Sequence, residues 1–342
     1  MADFDDSRLD DREVLQTYDA PLRRLAECGA RLRGEWYGAS ATILQLTESD
    51  RPRAVIAMGT DARLIRAVLE PVCPVPFVAW PRQGLPGWVG PLDLVLIMAS
   101  EGSDPALIAS AQEATRRGAR IVIAASEASS VAEFAASRST TLVPTTTGDP
   151  LAAVMVVLAA LHELRLGPPV SVESVADAAD MVAEASSPFL DLSANPAKVL
   201  ACAMADAQPL VWGGSVLAAR AGRRVAGALR AVTGRAALSA DAHDLMAVIE
   251  ATEPADPFAD PFEDAPSADR RPCLLILDDG DAHADVSRAA AALRAACGRV
   301  DVRSDTLEAR EGEDLARYVM LLQKGRFTAA YLGIGLGTAS LG

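Results

Sequence analysis

The 342-residue chain carries 32 basic and 46 acidic residues, for a formal net charge of −14. Such a surface repels phosphodiester backbones and anionic lipids, so neither nucleic acid nor membrane is an expected partner. It leaves room for a small phosphorylated ligand, because the amides of one helix N-terminus can hold a phosphate against an unfavourable global field.

Residues 1–13, with six acidic side chains and no apolar run, read as a charged tail and not as a signal peptide. Apolar spacing from Val14 to Leu32 predicts a helix over 12–36, with a break near Pro21. Then comes AVIAM (54–58), followed by Gly59 and Thr60 and a helical DARLIRAVLE. Short apolar runs at 75–80, 92–100, 119–126 and 139–144 alternate with helical segments. This is the pattern of a parallel sheet covered on both faces.

A helical stretch follows over 149–166, 171–186 and 195–206. Its longest apolar run, Leu151 to Leu161, is too short to cross a bilayer. A second series begins with strand PLVWG (209–213), then Gly214, Ser215 and a long helix. It continues with strand 235–239, a helix around AHDLMAVIEA, strand 272–280, helix 285–298, strand 300–304 and a last helix over 311–333 with a break at Gly325. Residues 252–271, rich in Pro and Asp, read as an acidic loop. The expected organisation is an α/β protein: tail 1–13, a first lobe 14–167, a helical linker 168–206 and a second lobe 207–342. Each lobe is three layers around a mostly parallel sheet.

Five cysteines without a CxxC spacing predict reduced, mostly buried thiols and a cytoplasmic location. The three histidines, His162, His243 and His283, show no metal-ligand spacing. No GxGxxG follows a strand and no GxxxxGK[ST] occurs. No metal or organic cofactor is expected. The acidic pair at 278–279 with Asp281 could hold a cation or simply form a solvated turn.

Three strand ends lead through glycine and hydroxyl residues into helices: Gly59 with Thr60; Ser100, Gly102 and Ser103; Gly214 with Ser215. The carboxyl end of a parallel strand beside a helix N-terminus is where α/β proteins take anions. Asp104 or Ser103 could equally be only an N-cap before Pro105. Arg220, Arg223 and Arg224, at helical spacing, could face an anionic ligand or a partner's acidic surface.

The segments AVIAMGT, LDLVLIMASEGSDPALIASAQEATRRGARIVIAAS, NPAKVLACAMAD, PLVWGGS and TAAYLG together resemble the sugar isomerase (SIS) fold in its two-domain form. The chain is similar to the bifunctional phosphoglucose/phosphomannose isomerases, in a divergent actinobacterial branch. The resemblance implies a homodimer that binds a sugar phosphate, with the 100–105 turn in the place of the phosphate loop and His243 in the place of the ring-opening histidine. It also implies a glutamate base after the second lobe's first helix. From 213 to 239 the chain has no Asp or Glu, and nothing after Lys324 is a lysine. Two functions are therefore expected as alternatives. One interconverts aldose and ketose forms of glucose, mannose and fructose 6-phosphate, with the base supplied from elsewhere, such as Glu250 or Glu308. The other is a non-catalytic sugar-phosphate sensor or scaffold.

Overall fold

The computed structural model describes residues 3–46, 50–100, 104–253 and 270–338. In chain order the helices and strands are α1 (Arg12–Thr17), α2 (Asp19–Ala26), α3 (Cys28–Leu44), β1 (Val55–Gly59), α4 (Ala62–Leu69), β2 (Phe77–Ala79), β3 (Leu94–Ala99), α5 (Pro105–Arg116), β4 (Arg120–Ala125), α6 (Ser130–Ala135), β5 (Thr140–Pro144), α7 (Pro150–Glu163), α8 (Val172–Ala185), α9 (Pro196–Ala203), β6 (Gln208–Gly213), α10 (Val216–Thr233), β7 (Leu238–Ser239), α11 (Ala242–Glu250), β8 (Pro272–Asp278), α12 (Ala284–Arg299), β9 (Arg303–Glu308) and α13 (Asp314–Gly335). Two compact units result. One is Gly29–Ala176; the other joins Met1–Cys28 to Asp177–Gly342.

The unit 29–176 holds a five-stranded sheet in the order β2-β1-β3-β4-β5, parallel throughout. Its central strand, LVLIMA, is buried at every position, as a strand covered on both faces must be. On one face Ile56, Val95, Ile97, Ile121 and Ile123 pack with Leu107 and Ala111 of α5 and Val131 of α6. Helix α7 is buried from Leu151 through Leu161, which explains why its sequence is apolar all round.

The other unit holds a four-stranded parallel sheet in the order β7-β6-β8-β9. Leu210, Trp212, Leu274 and Ile276 pack with Leu245 and Ile249 of α11 and Leu293 and Cys297 of α12. The cysteines are free thiols, and burial pushes the Cys273 thiol up to about 12.

Three helices start with one device. Asp104, Asp149 and Asn195 each accept an amide hydrogen bond at the helix start, with proline at the first position. The side chain fills an orphan amide, and proline loses nothing where its N–H would be unpaired.

Several expectations change. The first residues do not trail away: a 3-10 turn spans Asp6–Leu9, Leu9 is fully buried, and Arg8 Nε donates to the Ile334 carbonyl at 2.7 Å. Asp10 reaches the wholly buried Lys198 ammonium at 2.8 Å. That ammonium also donates to the carbonyls of Pro188 and Leu190. The first helix breaks at Tyr18 and Glu27, and Pro21 sits harmlessly in the first turn of α2. The last strand begins at Arg303, later than VDVRS suggested. Helix α13 runs unbroken through Gly325, where an added Cβ would overlap the Val225 side chain. Glycine there serves the close approach of α10 and α13.

Candidate functional site

In the five-stranded sheet the chain leaves β1 for β2 on one side and returns to β3 on the other. The carboxyl ends of β1 and β3 therefore form a topological switch point, where a crevice opens between diverging loops. Gly59 pairs with Met98 at that edge. Its φ is +104°, and a Cβ would overlap the Met98 carbonyl oxygen and stand 3.0 Å from its carbon. Only glycine satisfies both demands. Thr60 follows, exposed, and Ser100 follows β3, half-buried. The fold thus places Gly59, Thr60 and Ser100 at the adjacent carboxyl ends of β1 and β3. Gly102 and Ser103, with Glu101, lie outside the described residues. Asp104 Oδ1 accepts from Ala106 N at 2.8 Å and caps α5. That negative charge at the helix N-terminus opposes a phosphate there, so the crevice hydroxyls are the better donors.

The four-stranded sheet repeats the topology, with its switch point between β6 and β8. A Cβ on Gly213 would lie 2.6 Å from Ala219 N, and one on Gly214 would lie 2.9 Å from Trp212 Cη2. Ser215 Oγ accepts from Ala218 N at 2.9 Å, capping α10, and donates to Asp279 Oδ2. The Ser215 hydroxyl is thus occupied in both roles, and its bond to Asp279 ties β6 to β8 across the crevice.

Beside β8 lies a cleft of about 420 Å³, lined by Trp212, Ile276, Val286, Asp278, Arg294 and Arg310 among others. Arg310 Nη2 meets Asp278 Oδ2 at 2.7 Å, and Arg294 donates to Thr306 Oγ1 at 3.1 Å. Burial pushes the Asp278 carboxyl up, but Arg310 and the Gly280 amide outweigh it and hold it below the usual range. The Asp281 carboxylate accepts from His283 N at 2.9 Å and from the His283 ring, which raises the pKa of that histidine. Among the described residues no three acidic, histidine or cysteine side chains converge as a metal site.

His243 is the second residue of α11 and is exposed, as is Asp244 beside it. It lies in the same unit as Gly214 and Ser215. Helix α10, which follows the glycine pair, carries Arg220, Arg223, Arg224 and Arg230 and no carboxylate.

One buried carboxylate escaped the sequence reading. Glu35, 1 % exposed, accepts from Thr146 N at 2.9 Å, Thr147 N at 2.6 Å and Thr147 Oγ1 at 2.5 Å. With Arg31 on Asp149 at 2.8 Å, it clamps α3 to the turn between β5 and α7. The hint was the hydroxyl- and amide-rich TTTGD turn, which needs an acceptor.

Residues 193–339 match the bacterial phospho-glucose isomerase C-terminal SIS domain. That segment is an SIS domain. Solved SIS-like structures follow the chain over most of its length. The C-terminal domain of glucosamine-fructose-6-phosphate aminotransferase from Francisella tularensis is 12% identical, with a TM-score of 0.64 over 93% of this chain and 96% of that one. Tagatose-6-phosphate ketose/aldose isomerase from Escherichia coli is 13% identical, with a TM-score of 0.61 over 97% and 95%. A glucose-6-phosphate isomerase like protein from Thermus thermophilus is 18% identical, with a TM-score of 0.50 over 88% and 91%. No curated protein matches the sequence. At these identities the likeness establishes the SIS fold and leaves the chemistry to the residues. Among the described residues no helix is long and apolar enough to cross a membrane.

Proposed function

We propose that the protein binds a sugar phosphate, with the phosphate group at the β1–β3 crevice. What supports this reading is that Gly59 and Thr60 lie at the end of β1 next to Ser100 at the end of β3, at the switch point of the five-stranded sheet. Gly59 lets the two strand ends approach, and the hydroxyls of Thr60 and Ser100 donate to phosphate oxygens. Glucose, mannose and fructose 6-phosphates are the ligands in view, and the proposed assembly is a homodimer.

Interconverting the aldose and ketose forms moves a proton between C1 and C2 and needs a base near both carbons. In this reading His243 assists ring opening and the base comes from outside α10.

A second reading is favoured by a specific observation. The stretch 213–239 carries no carboxylate, and His243 stands exposed. A protein so built keeps the ligand and loses turnover, and serves as a sensor or scaffold. Solvent exchange of the C2 proton, followed by NMR in deuterated water with each hexose 6-phosphate, separates the two. Exchange abolished by His243→Ala supports the isomerase. Ligand line broadening without exchange supports the sensor, and neither signal overturns both.

A further inference from the structure

The loop after β8 holds the place in the four-stranded sheet that the loop after β3 holds in the five-stranded one, because the two strand orders begin alike, β7-β6-β8 and β2-β1-β3. Where the first sheet offers hydroxyls, the second offers Asp278, Asp279, Gly280 and Asp281. These residues line the cleft of about 420 Å³ beside β8. Its place at a switch point is where α/β proteins take small ligands, and its volume falls in the range of roughly 300–1,000 Å³ of small-molecule pockets. The facing wall is α12, which contributes Val286, Ala290 and Arg294 at four-residue spacing, one face of the helix. Trp212 and Ile276 join Val286 in an apolar wall. All of these residues belong to one compact unit.

Five charged side chains line the cleft, and three of them are already balanced. Arg310 pairs with Asp278 at 2.7 Å and with Glu308 at 3.3 Å. Asp281 meets the ring of His283, which raises the pKa of that histidine. Two charges remain. Among the described residues, Arg294 donates only to Thr306 Oγ1, at 3.1 Å, and that acceptor is neutral. The Asp279 carboxylate accepts only from the Ser215 hydroxyl. Arg317 reaches the main-chain carbonyl of Asp279 and spends its charge on Asp314. Among the described residues the cleft therefore holds one cation and one anion without an ion partner, beside an apolar wall. A ligand with an anionic group alone would meet three aspartates, and one with a cationic group alone would meet two arginines. A ligand carrying both charges escapes either repulsion.

We propose that the cleft beside β8 binds a small zwitterion with an apolar body, the chemistry of a free apolar α-amino acid. The planar carboxylate matches the guanidinium fork of Arg294. The ammonium donates to Asp279, and the side chain lies against Trp212, Ile276 and Val286. A phosphate ester, with two negative charges beside three carboxylates, is disfavoured here. This inference does not rest on the β1–β3 reading.

The test is saturation-transfer NMR on the full chain, titrated with L-leucine and L-phenylalanine in the absence of any sugar phosphate. Two leucine analogues each lack one charge: leucinamide has no carboxylate and isocaproate has no ammonium. Both amino acids should bind, and each analogue should bind roughly tenfold or more weakly, the loss of one charge-assisted hydrogen bond. Arg294→Gln should weaken leucine and leave leucinamide unchanged, whereas Asp279→Asn should weaken leucine and leave isocaproate unchanged. Arg294 is exposed, and Asp279→Asn keeps an acceptor for Ser215, so both variants should fold. The analogue comparison on the native chain decides the case even if one does not. No binding of either amino acid overturns the proposal, as does an analogue that binds as tightly as leucine, or leucine affinity unchanged in either variant. Leucine binding retained in Thr60→Ala/Ser100→Ala, with sugar-phosphate binding lost, separates the fate of this cleft from the fate of the crevice.

Discussion

Replacing Gly59 by alanine tests whether the β1–β3 crevice depends on backbone that no other residue allows. Two terms add. The φ of +104° lies beyond the left-handed well near +57°, and holding an L-residue there costs about 1–3 kcal/mol. The new methyl also overlaps the Met98 carbonyl oxygen. That atom belongs to the β3 backbone and cannot swing aside, so overpacking adds about 1–3 kcal/mol. The sum, about 2–6 kcal/mol, is a large share of the 5–15 kcal/mol by which a domain is stable. Gly148 supplies the control, since it has φ +65° and nothing within 4 Å of an added Cβ. Gly148→Ala should cost only about 1–2 kcal/mol. Urea melts followed by far-UV circular dichroism measure both variants. Gly59→Ala should unfold at clearly lower urea and lose sugar-phosphate binding, whereas Gly148→Ala should keep binding. Equal destabilisation of the two would refute the steric argument.

Glu35→Gln removes the charge from a buried acceptor of two backbone amides and a hydroxyl; a loss of about 2–4 kcal/mol is expected, read by the same melts. Asp10→Asn weakens the contact with Lys198. Asp10 is largely solvated, so the loss at pH 7 should be only about 1 kcal/mol. Burial tends to raise the Asp10 carboxyl, but Lys198 and the Leu192 amide outweigh it and hold it below its ordinary 3.8. Its contribution is therefore present above that value and lost as pH falls through the lower folded value, so the variant's acid limb should be shallower in thermal melts at stepped pH. Ser215→Ala removes the α10 cap and the tie to Asp279 and should cost about 1–2 kcal/mol, while hydrogen exchange should quicken at Ala218.

The regular parts of this fold were legible because buried parallel strands are continuous apolar runs and their helices carry local start signals. LVLIMA and PLVWG could be little else, and the DP and NP pairs announce α5, α7 and α9 in sequence. The edge strand β9 was placed too early because RSDTLE is half-exposed and polar. Such edges carry charges that discourage pairing with another chain, and so hide from a search for apolar runs. Gly325 looked like a break because a glycine's reason for being in a helix is visible only from the neighbouring helix.

The site was half legible. Glycine followed by a hydroxyl at a strand end can be read locally, and Gly59, Thr60 and Ser100 stand at the ends of the neighbouring strands β1 and β3. The tie from Ser215 to Asp279 joins residues 64 apart in sequence, and the Glu35 clamp spans 111. No local pattern predicts either.

The central claim is that a sugar phosphate binds through the Thr60 and Ser100 hydroxyls. The most direct measurement is the phosphorus NMR line of a hexose 6-phosphate titrated with the native chain and with Thr60→Ala/Ser100→Ala. The account predicts ester-dependent broadening with the native chain, exceeding that of inorganic phosphate and abolished by the double substitution. Broadening that survives the substitution unchanged, or none with the native chain, would contradict it.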